Sequence, residues 1–124
     1  TNKMYNHAYD SLVEHKVDKN NIKRVDVPGA FELPLICKKM AESEKYDSII
    51  AIGAVIKGET DHYYIVKDIC LNNIYRLAYS ECIPIGSAIL TVDNFNQALE
   101  RSDVKKKNLG KNAALVCCNL IEII

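Results

Sequence analysis

The run Gly58-Glu59-Thr60-Asp61-His62 is the part of this sequence best equipped for chemistry. It follows an apolar stretch over residues 49–55 and precedes a long helical pattern, so it falls where a strand turns into a helix. At such a turn the first helical amides lack partners and the dipole is positive; with the Thr60 hydroxyl they form a ready anion site. A Gly-x-Thr triplet alone is a weak signal, because many strand-to-helix turns carry it for geometry. His62 falls in the first turn of that helix. A positive dipole end favours neutral imidazole, which can accept or deliver a proton near neutral pH. The plainer alternative, a surface histidine bonding a helix start, stays open. Two other places hold candidate groups. Glu32, just after Pro28-Gly29, could accept hydrogen bonds from ligand hydroxyls, or simply suit a helix's first turn as an acid. Arg101, with Lys105 four residues on, could neutralise a phosphate through paired hydrogen bonds, or be a solvated cation at a helix end.

These groups need a scaffold, and the hydrophobic period supplies one. Met4, Ala8 and Leu12 recur at helical spacing and predict an amphipathic helix over 2–16. Residues 22–27 read as a short strand stopped by Pro28-Gly29. Leu33, Ile36, Cys37 and Met40 form the stripe of a helix that begins near 31–34. The continuous apolar run 49–55 is expected of a strand covered on both faces, as in a parallel sheet. A helix over about 61–81 carries Val66, Cys70, Ile74 and Leu77 on one side. Residues 84–92 read as a third strand, and Asp93 can cap a helix over 94–102. Ala113, Cys117, Leu120, Ile121 and Ile124 are expected to form the inner face of a last helix. Strands alternating with helices imply βαβ units, which cross over right-handedly onto a parallel sheet. Three parallel strands make a thin sheet whose edges natural proteins seldom leave bare. Either a further strand or a second subunit is expected to cover an edge.

With 124 residues the chain is expected to form one domain. Acidic and basic residues balance at 16 each, which argues against nucleic acid or an anionic membrane as the main partner. The cluster Lys105-Lys106-Lys107 is local and reads as a solvated loop. No apolar stretch approaches the roughly 18 residues of a membrane span, and Thr1-Asn2-Lys3-Met4 opens without an apolar signal region. A cytoplasmic location is expected. The five cysteines are odd in number, form no C-x-x-C pair and have no histidine at zinc-finger spacing, so they are expected to be reduced and structural. No metal site is foreseen. His7 and His15 read as ordinary helix residues.

Taken together, Val27-Pro28-Gly29-Ala30-Phe31-Glu32-Leu33-Pro34, Lys45-Tyr46-Asp47 and Gly53-Ala54-Val55-Ile56-Lys57-Gly58-Glu59-Thr60-Asp61-His62-Tyr63 closely resemble the lumazine synthase family. Leu90-Thr91-Val92-Asp93-Asn94 and Gln97-Ala98-Leu99-Glu100-Arg101 are similar to its later segment. The resemblance implies a flavodoxin-like, three-layer α/β/α fold with a parallel sheet. It implies condensation of 5-amino-6-(D-ribitylamino)uracil with 3,4-dihydroxy-2-butanone 4-phosphate, without metal or organic cofactor. By the same resemblance Ala30, Phe31 and Glu32 hold the ribityl chain and ring, and Ala54, Val55 and Ile56 lie beneath the pyrimidine. Glu59 and Thr60 match the phosphate donors, His62 the proton-transfer residue, and Arg101 with Lys105 the basic groups supplied by a neighbouring subunit. Ser87 stands where the family commonly has a phenylalanine that lines the ring from the next subunit. The family's first core strand, which ends in an aromatic residue and asparagine, is expected before Thr1. Homopentamers, and shells of sixty subunits, are the assemblies the resemblance implies. The archaeal type of riboflavin synthase and a non-catalytic lumazine- or flavin-binding shell protein are the alternatives.

Overall fold

In the computed structural model the described residues are 2–56, 63–92 and 108–124, with only the backbone described at 56, 63, 91 and 92. Helix α1 (Asn2–Glu14) is followed by a short 3-10 turn at Lys19–Asn21, capped by the Asp18 carboxylate, which accepts from the Asn20 amide at 2.9 Å. A second 3-10 turn, Ala30–Glu32, runs into α2 (Leu33–Glu42). Strand β1 (Ile49–Ile56), α3 (Tyr63–Ser80), β2 (Ile85–Val92) and α4 (Leu109–Ile123) complete the order. Strands β1 and β2 pair in parallel over eight rungs, from Ile49–Ile85 to Ile56–Val92, so their carboxyl ends lie side by side.

Alternation along both strands builds two cores. Ile49, Ala51 and Val55 of β1 pack with Ile85 of β2 against Leu33 and Cys37 of α2 and Cys70 and Ile74 of α3. On the other face Ala88 and Leu90 pack with Met4 of α1 and Ala113 of α4. The result is helix, sheet, helix, as the βαβ pattern requires. Small residues bring the layers close. A side chain at Gly86 would run into the Ala113 carbonyl, and one at Gly110 into the Met4 carbonyl, so α4 meets both β2 and α1 at backbone distance. The Cys117 thiol donates to the Ile49 carbonyl at 3.4 Å, tying α4 to the start of β1.

All five cysteines are free. Burial, reinforced by the nearby Cys70 thiol, pushes Cys37 up to about 11. Burial also raises Cys70 and Cys117. Thiols held protonated behave as small hydrophobes, which is how these three pack.

Two expectations are corrected. Residues 22–27 form no strand: among the described residues β1 pairs with β2 alone. A cavity of about 1050 Å³ separates 22–27 from β1; its walls include Arg24, Val27, Ile50, Ile52 and Ile121. Without a backbone within reach on the sheet side, a β-like sequence has no ladder to join. From strand rise, spacing and sheet thickness a strand residue fills on the order of 160 Å³, so the cavity has room for about six residues. The segment is anchored elsewhere: Arg24 donates to the Asn2 side chain at 2.7 Å, pairs with Asp26 at 3.0 Å and lies 4.3 Å from the Tyr5 ring centre.

The second correction concerns α4. Its inner face is Gly110, Ala113, Ala114 and Cys117, whereas Leu120, Ile121 and Ile124 are exposed, the last at 76%. The helix is held at its amino-terminal half by the glycine and alanine contacts, and its last turn runs past the elements that cover it. The helix expected over 94–102 lies outside the described residues.

Gly110→Ala is expected to cost about 3 kcal/mol, because a methyl group must displace the α1 backbone rather than a side-chain tip. A urea-unfolding midpoint compared with that of Lys111→Ala at the exposed neighbouring position measures it. An unchanged Gly110→Ala midpoint means the two helices are not in backbone contact.

Candidate active site

The turn Ala30–Glu32 owes its place to Gly53. A side chain there would meet the Leu33 methyl at 3.2 Å and the Ala30 methyl at 3.5 Å, so the turn rests directly on β1 near its carboxyl end. The Glu32 amide donates to the Gly29 carbonyl at 3.2 Å, and Pro34 falls in the first turn of α2, where no amide donor is needed. Ala30 is buried against Leu33 and Val55, while Phe31 and Glu32 are exposed, Phe31 at 54%. The Glu32 carboxylate folds back over Gly29, where an added side chain would meet it at 3.2 Å.

Ala30 and Ala54 both line the large cavity, which also reaches Gly29 and Gly53. Ala54 and Val55 face opposite sides of the sheet: Val55 joins the α2–α3 core and Ala54 the α1–α4 side. What they share at the strand end is backbone. Open parallel sheets bind ligands outside the carboxyl ends of their strands, and this end combines an apolar floor with an exposed ring and carboxylate. No group of three His, Cys, Asp or Glu side chains among the described residues is arranged to hold a metal. His15 Nδ1 bonds the Ser11 carbonyl at 2.8 Å, a local contact within α1.

Ser87 does not join this group within one subunit. It pairs with Ala51, three rungs before the Ala54–Leu90 rung, roughly 10 Å back along the sheet. There it lines a second groove of about 260 Å³ at the outer edge of β2, with Tyr75 of α3 and Val116 of α4. The Tyr75 and Ser87 hydroxyl oxygens are 3.3 Å apart. Tyr75 lies outside the apolar stripe Val66, Cys70, Ile74 and Leu77, and no sequence signal ties it to Ser87.

The whole chain, residues 1–124, matches the family described as 6,7-dimethyl-8-ribityllumazine synthase. The 6,7-dimethyl-8-ribityllumazine synthase of Leuconostoc mesenteroides subsp. mesenteroides is 43% identical over 116 residues, covering 94% of this chain and 74% of that protein. The chain belongs to the lumazine synthase family. It is an enzyme of the riboflavin pathway class, and neither alternative named above is favoured. No described helix is long and apolar enough to cross a membrane.

For a lumazine synthase, the described residues bring Ala30, Phe31 and Glu32 to the β1 strand end beside Ala54 and Val55, and set Ser87 apart. The side chain of Ile56, and Glu59, Thr60, His62, Arg101 and Lys105, lie outside the described residues. Gly53→Val is therefore expected to push the Ala30–Glu32 turn off the strand and lower kcat/KM at least about tenfold, since small displacements of positioning groups are costly. Steady-state kinetics beside a thermal melt check this; activity lost only in proportion to folded protein would contradict it.

Proposed function

We propose that the 124 residues act as one domain that condenses 5-amino-6-(D-ribitylamino)uracil with 3,4-dihydroxy-2-butanone 4-phosphate. The product is 6,7-dimethyl-8-ribityllumazine, the penultimate intermediate of riboflavin biosynthesis, made in the cytoplasm. The observation that carries this reading is the match to the lumazine synthase family across the whole chain. The amine attacks the ketone and water leaves as an imine forms. Phosphate is then eliminated, the second nitrogen closes the ring, and a second water departs. Each step needs placement and proton transfer. Ala30, Phe31 and Glu32 hold the ribityl chain, with the Glu32 carboxylate accepting from its hydroxyls. Ala54, Val55 and Ile56 support the pyrimidine. Glu59 and Thr60 donate to the phosphate, and His62 moves the protons. Arg101 and Lys105 neutralise the phosphate from a neighbouring subunit, and Ser87 belongs to the wall that a neighbour lends.

Sharing of sites between subunits is supported by the separation of Ser87 from the β1 strand end and by the outer edge of β2, which no described strand covers. Tyr75 and Val116 flank that edge at 48% and 47% exposure. A bare edge with apolar flanks is what a second copy covers. The assembly is a ring of five, with icosahedral shells of such rings as its larger form.

Mixing the two substrates and following lumazine absorbance tests the chemistry. His62→Ala is expected to lower kcat on the order of 100-fold. Arg101→Ala is expected to lower kcat/KM for the ketone phosphate further, on the order of 1000-fold, because a phosphate loses its charged partner. No acceleration over the spontaneous reaction by the unaltered chain would falsify the condensing role. Light scattering tests the assembly: a ring has a mass near ~70 kDa, from five subunits of 14.0 kDa. A mass near one subunit rules the shared site out.

A further inference from the structure

We propose that Tyr75 is a substrate-binding residue, whose ring closes over the pyrimidine in the site of the neighbouring subunit. The inference rests on the shared-site reading above and adds to it a residue outside the resemblance. Tyr75 contributes little to its own core: α3 buries Cys70 and Ile74, whereas Tyr75 is 48% exposed. Nor is it a loose surface ring. Its hydroxyl lies 3.3 Å from the Ser87 Oγ on β2, so the side chain is folded from the helix across the outer face of the sheet edge. That distance is long for an O–H···O bond, and its consequence is orientation more than stability.

Beside the ring lies the 260 Å³ groove. It lies over the small Ser87 side chain, and the Ala113 carbonyl of α4 fills the space that a side chain at Gly86 would take. The volume falls below that of pockets enclosing whole drug-sized ligands, and suits one flat ring. Ile85 and Val116 give apolar walls, Tyr75 an aromatic face and Asn112 an amide at the rim. Whichever hydroxyl of the Tyr75–Ser87 pair donates to the other, the second hydroxyl hydrogen stays free for a carbonyl oxygen. An aromatic face with a hydroxyl donor beside it matches a pyrimidinedione, whose ring stacks and whose edge carries carbonyls. The small residue on β2 and the large one on α3 are thus one arrangement. The ring that could have come from the strand comes from the helix.

The test uses the full chain and four forms: unaltered, Tyr75→Phe, Tyr75→Ala, and Tyr75→Ala combined with Ser87→Phe. Calorimetric Kd for the ribitylaminouracil, KM for each substrate and light-scattering mass are measured for all. Tyr75→Ala is expected to weaken uracil binding roughly ten- to a hundredfold, the range for losing one base–aromatic stack. KM for the ketone phosphate should stay within about twofold, because phosphate binding does not depend on a stacking ring, and the mass should be unchanged, because Ile85 and Val116 still offer the edge its apolar walls. Tyr75→Phe keeps the ring and should stay within about fivefold of the unaltered chain. The double variant restores a ring from the strand and should recover at least tenfold of the loss. An unchanged uracil Kd in Tyr75→Ala, a parallel rise in both KM values, or a fall in mass overturns the proposal. Because Kd is read without turnover, an inactive unaltered chain that still binds the uracil in a Tyr75-dependent way separates failure of the condensing role from failure of this one.

Discussion

The parallel pairing of β1 with β2 is the constraint from which the rest of this structure follows. Pairing in register over eight rungs brings the two carboxyl ends together, and the loops that carry the candidate groups leave from there. A parallel pair also has to be connected by a crossover, which α3 provides, and must be covered on both faces. That is why so short a sheet carries helices on each side. It also explains the small residues at Ala51, Gly53, Gly86 and Ala88. Glycine and alanine let helix and turn approach the sheet backbone, and the Ala30–Glu32 turn reaches the β1 strand end by that close approach.

The elements whose burial is local were legible in the sequence. The stripes Leu33–Cys37 and Cys70–Ile74 and the unbroken run 49–55 each record how one element meets the layer it packs on, and the structure places them so. What depends on a distant partner was not legible. Residues 22–27 have strand-like composition, but a strand is a relation between two backbones, and composition does not tell whether the second is within reach. The terminal turn of α4 failed for the same reason: Leu120, Ile121 and Ile124 continue the apolar period, yet nothing among the described residues covers them. The strand-end site is half legible. Ala30, Glu32 and Ala54 are brought together through Gly53, whereas the Tyr75–Ser87 pair links residues twelve apart on different elements, a contact no periodicity encodes.

The two outer edges of the sheet are not equivalent, and the difference organises the molecule. The far edge of β1 faces a cavity with room for about six residues, bounded by 22–27, α1 and the exposed Ile121. Those dimensions suit an added strand, which would give 22–27 the ladder its composition suits and cover Ile121 at once. Among the described residues the far edge of β2 has only a shallow groove, bounded by α3 and α4. One edge has the form of a place for more sheet. The other has the form of a contact surface.

That asymmetry bears on why a condensing site would be divided between subunits. The β1 strand end supplies an apolar floor and a carboxylate, but its flank opens toward solvent at Phe31 and Glu32. Among the described residues a single copy shows no second wall there, and its Ser87 and Tyr75 lie back along the sheet, at the rung three before Ala54. In the proposed assembly, a neighbour docked through the β2 edge would bring those two groups to the site without lengthening any loop, and would exclude water from an imine that would otherwise hydrolyse. Closure of the site then needs no moving lid. In that proposal it is set by assembly, at a surface where the Ala113 carbonyl packs directly on Gly86.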